Sequence, residues 1–268
     1  MILTSRGIQI GLFTFSYYGM LILLAFVLSL ILAFRRAKIR GLDTNHLWLM
    51  SLLVFIGAII GARIWYACFP PPSALRVGIT PQFYRNSLLD LFAFWQGGFS
   101  LPGAVIGGLI GLALYTFPKQ LDFSTWLRGL IPVLPFAIAI AIWGNFLTQE
   151  NYGLPSALPW AIFIDPQNRA PGYTSLATYH PLFLYHSLWA FFTTIVVVQR
   201  EQKTHSDKTT VSLTGTILAI GFLLLETIRV DTKLGSASTL NMAFWTVILV
   251  FSLMRLFFIK RYGERTNL

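Results

Sequence analysis

Long apolar runs alternate along the chain with short polar connections. Seven runs approach the ~20 residues that a helix needs to cross the hydrocarbon core of a bilayer. They cover residues 11–34, 46–69, 97–117, 129–147, 181–198, 212–229 and 241–259. Because their apolar positions do not alternate with polar ones, and because lipid leaves backbone groups no water to bond, helices are the expected structure. The pattern predicts an all-α polytopic membrane protein with about seven transmembrane helices in a single domain, residues 1–268.

The composition agrees with a membrane protein and excludes an ordinary soluble domain. Hydrophobic residues make up 55% of the chain and charged residues only 11%, whereas soluble domains carry about a quarter. The formal net charge of +10 is spread over short clusters and forms no continuous basic face, so we expect no nucleic-acid partner. The single cysteine, Cys68, excludes an internal disulfide, and its apolar neighbours predict a small core residue.

The cations between the runs predict the orientation of the chain in the membrane. If the cluster after the first run is cytoplasmic, twelve Lys and Arg residues fall in inside loops and five in outside segments. The outside set comprises Arg6, Arg76, Arg85, Arg169 and Lys233. This distribution predicts an outside N-terminus and a cytoplasmic C-terminus, and it places the two longer connections, 70–96 and 148–180, on the outer face.

A few ionisable or strongly polar residues lie inside or beside the apolar runs, where such groups cost several kcal/mol unless they are paired. They are Arg63, Asn145, Glu150, His180, Glu226 and Arg229. All fall towards the outer half of the predicted bilayer, so they predict a polar site open to the outer leaflet. The structural alternative is that the two arginines reach the headgroups and that Glu226 and Arg229 form an ion pair at a helix end.

Small residues give a second signal in the third and second runs. One ridge consists of Gly103, Gly107 and Gly111, and the other of Gly57 and Gly61. Such spacing favours close helix packing, although a groove floored by glycine can also admit an acyl chain. In the fourth run, Pro132 and Pro135 predict a kink.

Six short segments, in this order, resemble motifs of the bacterial prolipoprotein diacylglyceryl transferase family. They are Tyr17-Tyr18-Gly19; Gly61-Ala62-Arg63-Ile64-Trp65-Tyr66; Gly97-Gly98-Phe99-Ser100 with Gly103-Ala104; Gly144-Asn145-Phe146 with Glu150 and Gly153; His180-Pro181 with Leu184-Tyr185; and Glu226-x-x-Arg229. The resemblance covers nearly the whole chain.

The resemblance implies transfer of a diacylglyceryl group from phosphatidylglycerol, or another anionic phospholipid, to the cysteine thiol of a lipoprotein precursor in the bacterial inner (cytoplasmic) membrane. The other partners it implies are membrane lipids, and it implies no metal or cofactor. The implied catalytic residues are Glu150 or His180 as acceptor of the thiol proton and Tyr18 as a donor to the headgroup. The implied substrate-binding residues are Arg63, Asn145, Gly153, Glu226, Arg229 and Gly103. Among them, Arg63 and Arg229 would face the phosphate with help from Arg169 or Lys233, Asn145 would orient a headgroup oxygen, and Glu226 would position Arg229.

The chain departs from the family pattern at positions that bear on the phosphate. Ile142 and Phe222 stand where the family usually carries arginine, and Pro102 replaces a frequent histidine. Further departures are Thr148, Phe183 and His186. Two other classes therefore stay open. One is a catalytically inactive relative that binds lipid or serves as a structural subunit of a larger membrane complex. The other is a small-solute transporter or channel, which would need polar residues near the midplane or a repeat of spans.

Overall fold

A computed structural model describes residues 2–4, 7–10, 13–76, 78–93, 97–204, 209–231 and 236–263. Four of the cations counted for the orientation, Arg6, Lys208, Lys233 and Arg265, lie outside the described residues, and so does the suggested contribution of Lys233 to a phosphate site.

The chain begins with three antiparallel strands, β1 (Ile2–Thr4), β2 (Gly7–Ile10) and β3 (Phe13–Ser16), paired in that order. The first long helix, α1 (Tyr17–Ile39), follows at once. The apolar run from residue 11 predicted an earlier helix start, and this boundary is wrong. Ser16 has an extended backbone and its hydroxyl accepts a hydrogen bond from the Gly19 N–H at 3.1 Å, which caps the helix at this point.

Eleven further α-helices, two short 3-10 helices (Thr44–His46 and Pro166–Asn168) and two short strands complete the described part of the chain. The helices are α2 (Leu47–Cys68), α3 (Pro72–Arg76), α4 (Pro81–Asn86), α5 (Leu88–Leu91), α6 (Leu101–Thr116), α7 (Phe123–Leu130), α8 (Val133–Ala141), α9 (Gly144–Thr148), α10 (Leu182–Thr204), α11 (Thr210–Ile228) and α12 (Ser236–Gly263). The strands β4 (Ile162–Phe163) and β5 (Thr178–Tyr179) pair antiparallel inside the long connection between α9 and α10.

Five of the helical segments are long and apolar enough to cross a membrane. They are Tyr17–Ile39, Thr44–Cys68, Leu182–Gln202, Thr210–Ile228 and Ala237–Arg261. A sixth candidate is the pair Phe123–Leu130 and Val133–Thr148, which is bent by 50°. The break includes Pro132, as predicted from the loss of a backbone donor at proline. At 16 residues, α6 is shorter than these spans. The chain is therefore a helical multi-pass membrane protein, while the number of seven crossings and the orientation stay predictions.

The two glycine ridges lie face to face and let α2 and α6 approach closely. A Cβ on Gly61 would stand 2.9 Å from Gly107 Cα, and one on Gly107 would meet the Gly57 carbonyl. The predicted packing role of the ridges is confirmed. Gly103 belongs to the same contact, since a Cβ there would stand 2.5 Å from Trp65 Cβ.

Cys68, the last residue of α2, lies on the outside of the bundle. Cys68 is exposed, whereas Ala62, Arg63 and Ala67 form the buried side of this helix. The prediction that Cys68 is a core residue is wrong, because the apolar residues beside it along the chain occupy other faces of the helix. In a membrane protein an apolar sequence neighbourhood does not indicate burial within the protein.

The bundle has two polar ends of different character. At one end, which we call the Arg36 end, Arg36 of α1 reaches Glu201 of α10, next to a core cluster that contains Leu47 and Trp126. At the other, which we call the Glu150 end, the start of α1, the end of α11 and the turn after α9 come together around a cavity.

Candidate active site

A cavity of about 470 Å³ lies between α1, α2, α6 and α8 and extends along much of the bundle. On α1 its lining runs from Tyr18 to Ala33, which at 1.5 Å per residue is about 22 Å. Its walls are mostly apolar, while charged and amide side chains gather at the Glu150 end. These groups are Asn145, Glu150, Asn151, Glu226, Arg229 and Asn241. The cavity thus has the chemical profile of a lipid, with one polar end and one apolar end.

Arg229 is the centre of the charge cluster at this end. It follows directly after α11 in an extended conformation, and its guanidinium Nε and Nη2 donate to the two oxygens of Asp231 at 2.7 and 3.0 Å. Its Nη1 also lies 3.5 Å from Glu226 Oε2. The paired Glu226 and Arg229 of the sequence analysis are therefore brought together. Asp231 was missed; the available signal was its place two residues beyond Arg229, just past the end of an apolar run.

Glu150 lies in a tight turn that the sequence did not reveal. The residues before and after it, Gln149 and Asn151, have positive φ values of 53° and 56°, a backbone region that non-glycine residues rarely adopt and that clusters at functional sites. The Glu150 N–H donates to the Asn145 carbonyl at 2.9 Å, and the Thr148 hydroxyl donates to the Glu150 carboxylate at 3.3 Å. The turn holds the carboxyl group against the cavity.

The carboxyl group of Glu150 titrates near neutrality. Burial raises its pKa to about 7, the Asp231 carboxylate adds to the rise, and Arg229 and the Thr148 hydroxyl oppose it. A carboxyl group with a pKa near the ambient pH can both accept and release a proton, which is the requirement for general acid–base chemistry.

Hydrogen bonds from the connection between α9 and α10 hold this turn in place. Gln149 Oε1 accepts from the Asp165 N–H at 2.8 Å and from Asn168 Nδ2 at 2.9 Å, while Gln149 Nε2 donates to the Asp165 carboxylate at 2.9 Å. Since all three bonds join residues far apart in sequence, the connection fixes the turn that carries Glu150.

Tyr18 and Asn145 meet at the same end of the cavity. The ring of Tyr18 packs directly on Gly144, where a Cβ would overlap it, and is parallel to Phe99 at a centroid distance of 5.9 Å. Glycine at 144 is therefore required by the tyrosine, and Asn145 beside it lines the cavity. Two of the motifs that carried the family resemblance thus form one wall.

The Arg63 side chain lies behind the cavity wall and bonds to backbone carbonyls. It is buried, at 2% exposure, and does not belong to the cavity lining. Its guanidinium donates to the backbone carbonyls of Asp90, Leu91 and Gly98 at 2.8, 3.2 and 3.4 Å, and also to that of Gly97. Carbonyl groups of α5 and of residues 97–98 therefore bond this guanidinium, and its contact with a phosphate stays a prediction.

Gly153 and His180 pack behind the site. The Gly153 N–H donates to the His180 carbonyl at 2.9 Å, and a Cβ on Gly153 would stand 3.2 Å from the Ile228 carbonyl. The His180 ring lies 3.1 Å from the Tyr185 hydroxyl, and neither Gly153 nor His180 lines the cavity. Gly153 also forms a β-bridge with Arg229, and this backbone pairing helps to hold Arg229 in place.

Arg169, suggested as a second cation for a phosphate, is engaged in its own segment. Its Nε and Nη1 donate to the carbonyls of Ile164 and Thr174, both at 2.9 Å, and it is not part of the cavity lining. Gly103 also lies outside the lining. The structure therefore gathers Tyr18, Asn145, Glu150, Glu226 and Arg229 from the predicted set.

Both departures from the family's arginines face the cavity. Ile142 and Phe222 contribute apolar surface to its lining, and Phe222 packs on the rings of His186 and Trp245 at 4.4 and 4.5 Å. Where the family pattern would place two cations, this chain has a hydrophobic wall that is continuous with its core.

Comparison with known proteins gives the same family throughout. Residues 6–260 match the model of the family described as prolipoprotein diacylglyceryl transferase. A protein of Thermotoga maritima, named phosphatidylglycerol–prolipoprotein diacylglyceryl transferase, is 35% identical over 86% of this chain and 76% of its own length. Proteins of the same name from Thermosynechococcus vestitus and Synechococcus elongatus are 30% and 29% identical, over 84% and 99% of this chain and 81% and 91% of their own lengths. The chain belongs to the prolipoprotein diacylglyceryl transferase family.

Proposed function

We propose that this protein transfers the diacylglyceryl group of phosphatidylglycerol to the cysteine thiol of a lipoprotein precursor. The observation that carries the proposal is a carboxyl group with a near-neutral pKa, Glu150, at the polar end of a lipid-shaped cavity. The names of the relatives supply the substrates, and the cavity supplies one polar and one apolar compartment for such a lipid.

In the proposed reaction a C–S bond forms between the thiol sulfur and the terminal glycerol carbon of the diacylglyceryl group. The bond between that carbon and the phosphate oxygen breaks, and glycerol phosphate leaves with the electron pair. The thiol proton passes to the Glu150 carboxylate. A free thiol has a pKa of about 8.5, so a base of pKa near 7 lies close enough to accept its proton as the sulfur attacks.

The remaining groups at this end act on the headgroup. Arg229 is the guanidinium of the cavity lining, and Asp231 and Glu226 fix its direction through the bonds described above. Its positive charge stabilises the negative charge that develops on the leaving phosphate. Asn145 orients a headgroup oxygen, and the Tyr18 hydroxyl donates to the headgroup. The apolar part of the cavity holds the acyl chains of the lipid. The lining of the cavity along α1 is about 22 Å long.

The transfer assay that tests this function uses the purified protein, labelled phosphatidylglycerol and a peptide with a lipoprotein cysteine. The wild-type protein transfers label to the peptide, and Asn145→Ala lowers the rate by ~10²-fold, since it removes a preorganised donor near the departing group. Asn45→Ala is the matched control, because Asn45 is exposed at the Arg36 end. Absence of label on the peptide with folded, lipid-supplied wild-type protein would refute the function.

We also propose that the protein resides in the bacterial cytoplasmic membrane with the Glu150 end towards the outside. The support is the distribution of cations between the apolar runs. In a Cys68→Ser background, Arg169→Cys reacts with an impermeant thiol reagent added to intact cells, and Arg200→Cys reacts only after the cells are opened. The reverse labelling pattern contradicts the orientation.

A further inference from the structure

Among the residues that the structure describes, the polar end of the cavity holds more carboxylates than cations. Among the described lining and its immediate partners, Glu150, Glu226 and Asp231 surround the guanidinium of Arg229. Arg63 is bonded to backbone carbonyls and does not line the cavity. An anionic phosphate therefore needs neutral hydrogen-bond donors besides Arg229, because that guanidinium already bonds two carboxylates and carboxylates repel the phosphate.

Asn151 is placed to supply such a donor. Its side chain belongs to the cavity lining and is 3% exposed. Its backbone N–H donates to Asp231 Oδ2 at 2.8 Å, the same oxygen that accepts from Arg229 Nη2 at 3.0 Å. The positive φ of 56° turns the residue into this position. Asn151 and Arg229 are thus held on one carboxylate, side by side.

One end of the Asn151 amide has a partner and the other has none among the described residues. The structure puts Nδ2 at 3.3 Å from His186 Nδ1 and leaves Oδ1 unpartnered. However, His186 Nδ1 lies 2.9 Å from the Leu182 carbonyl oxygen. A carbonyl can only accept, so Nδ1 carries the proton and cannot accept a bond from Nδ2 as well.

Both hydrogen bonds of His186 Nδ1 are possible if Oδ1 and Nδ2 of Asn151 exchange places, since the amide has nearly the same shape in either orientation. The oxygen of Asn151 then accepts from the His186 Nδ1–H, which it shares with Leu182, and the NH₂ group becomes the unpartnered end. A buried donor without a partner destabilises the protein unless a ligand satisfies it. His186 is itself 2% exposed and packed on Phe222, so it holds the amide in this orientation.

We propose that the Asn151 side-chain NH₂ is a further headgroup-binding group that donates to a phosphate oxygen of the lipid beside Arg229. The inference rests on the proposed function for the identity of the lipid. It assigns part of the phosphate recognition to a neutral amide, in a chain whose Ile142 and Phe222 give the cavity an apolar wall. His186 is a positioning residue that acts through Asn151.

Lipid binding to the intact protein in detergent, measured by native mass spectrometry, tests the proposal without requiring turnover. The variant is Asn151→Gly, which removes the amide and suits a positive φ. We expect its Kd for phosphatidylglycerol to rise roughly 10- to 100-fold, with an unchanged Kd for diacylglycerol, which lacks the phosphate. Gln120→Gly is the matched control, since Gln120 has φ 56° but is exposed outside the cavity.

A second variant, Asn151→Asp, keeps the size of the side chain and replaces the donor by an acceptor, so it weakens phosphatidylglycerol binding at least as much. Equal loss of both lipids in the glycine variant, or an unchanged Kd for phosphatidylglycerol, overturns the proposal. A wild-type protein that binds phosphatidylglycerol in an Asn151-dependent way but transfers nothing contradicts the proposed function and leaves this inference intact.

Discussion

The Arg36 end and the Glu150 end of the bundle both bury charges, yet within the described part of the chain the charged groups that line the cavity belong to the Glu150 end. At the Arg36 end, Arg36 and Arg40 each bond one oxygen of Glu201 at 2.6 Å. The Thr210 hydroxyl donates to the same carboxylate at 2.9 Å, and Arg36 Nε donates to the Gly129 carbonyl. The carboxylate is fully occupied, and the cluster joins α1, α10, α11 and the end of α7.

At the Glu150 end charged groups line the cavity, and among the described residues three carboxylates lie around one guanidinium. The Glu150 carboxyl has a raised pKa, and the Asn151 amide keeps one atom without a partner in the described structure. The contrast teaches that burial of charge alone does not identify a functional site. An excess of one charge and an unsatisfied polar group at the wall of a cavity are the distinguishing features.

The largest effect on stability is expected at the Arg36 end. Glu201→Gln removes the carboxylate that pairs with the buried Arg36 and with the partly exposed Arg40, and this costs about 3–5 kcal/mol. The measurement is unfolding in mixed detergent micelles. Asp122→Asn is the matched control at the same end. Asp122 caps α7 from an exposed position, asparagine caps equally well, and the control changes stability by less than ~1 kcal/mol. Equal stability of the two variants would show that the Glu201 cluster is not structural.

The smallest effect is expected at His180. His180→Ala removes a contact with Tyr185 behind the cavity, so transfer activity per folded molecule falls by less than about 3-fold, which is below 1 kcal/mol in barrier terms. Initial rates at saturating lipid and peptide test this. A hundredfold loss would place the imidazole in the chemistry and would extend the site beyond the cavity.

Much of the fold could be predicted from the sequence, because lipid restricts long apolar runs to helices. The packing of α2 on α6 followed from glycine spacing, and the bend after α7 followed from Pro132. The helix start at Tyr17 could not be predicted, since it depends on a cap by Ser16. The exposure of Cys68 was missed for a similar reason, as apolar neighbours do not distinguish lipid-facing from protein-facing positions.

The candidate site was predicted in part. The polar residues of the apolar runs include Asn145, Glu150, Glu226 and Arg229, and the structure brings these four to one end of the cavity. The same reasoning could not separate Arg63 from Arg229, because the sequence does not show which backbone carbonyls fold onto each arginine. Asp231 and Asn151 were missed because loop residues just outside a span carry no desolvation cost until the tertiary fold buries them.

If Glu150 takes the thiol proton, the rate of transfer follows the titration of its carboxyl group, and a pH–rate profile measures this. With a pKa of about 7, the carboxylate form is lost as the pH falls below neutrality. Transfer should therefore be level between pH ~7.5 and the thiol pKa of about 8.5, and fall about tenfold per unit below pH ~6.5. Glu150→Gln should lower the rate by ~10²–10⁴-fold and remove the fall in rate below neutral pH. The folded fraction of Glu201→Gln should keep the pH dependence of the wild-type protein. A Glu150→Gln protein with the wild-type rate, or with the same fall in rate below neutral pH, would contradict the account.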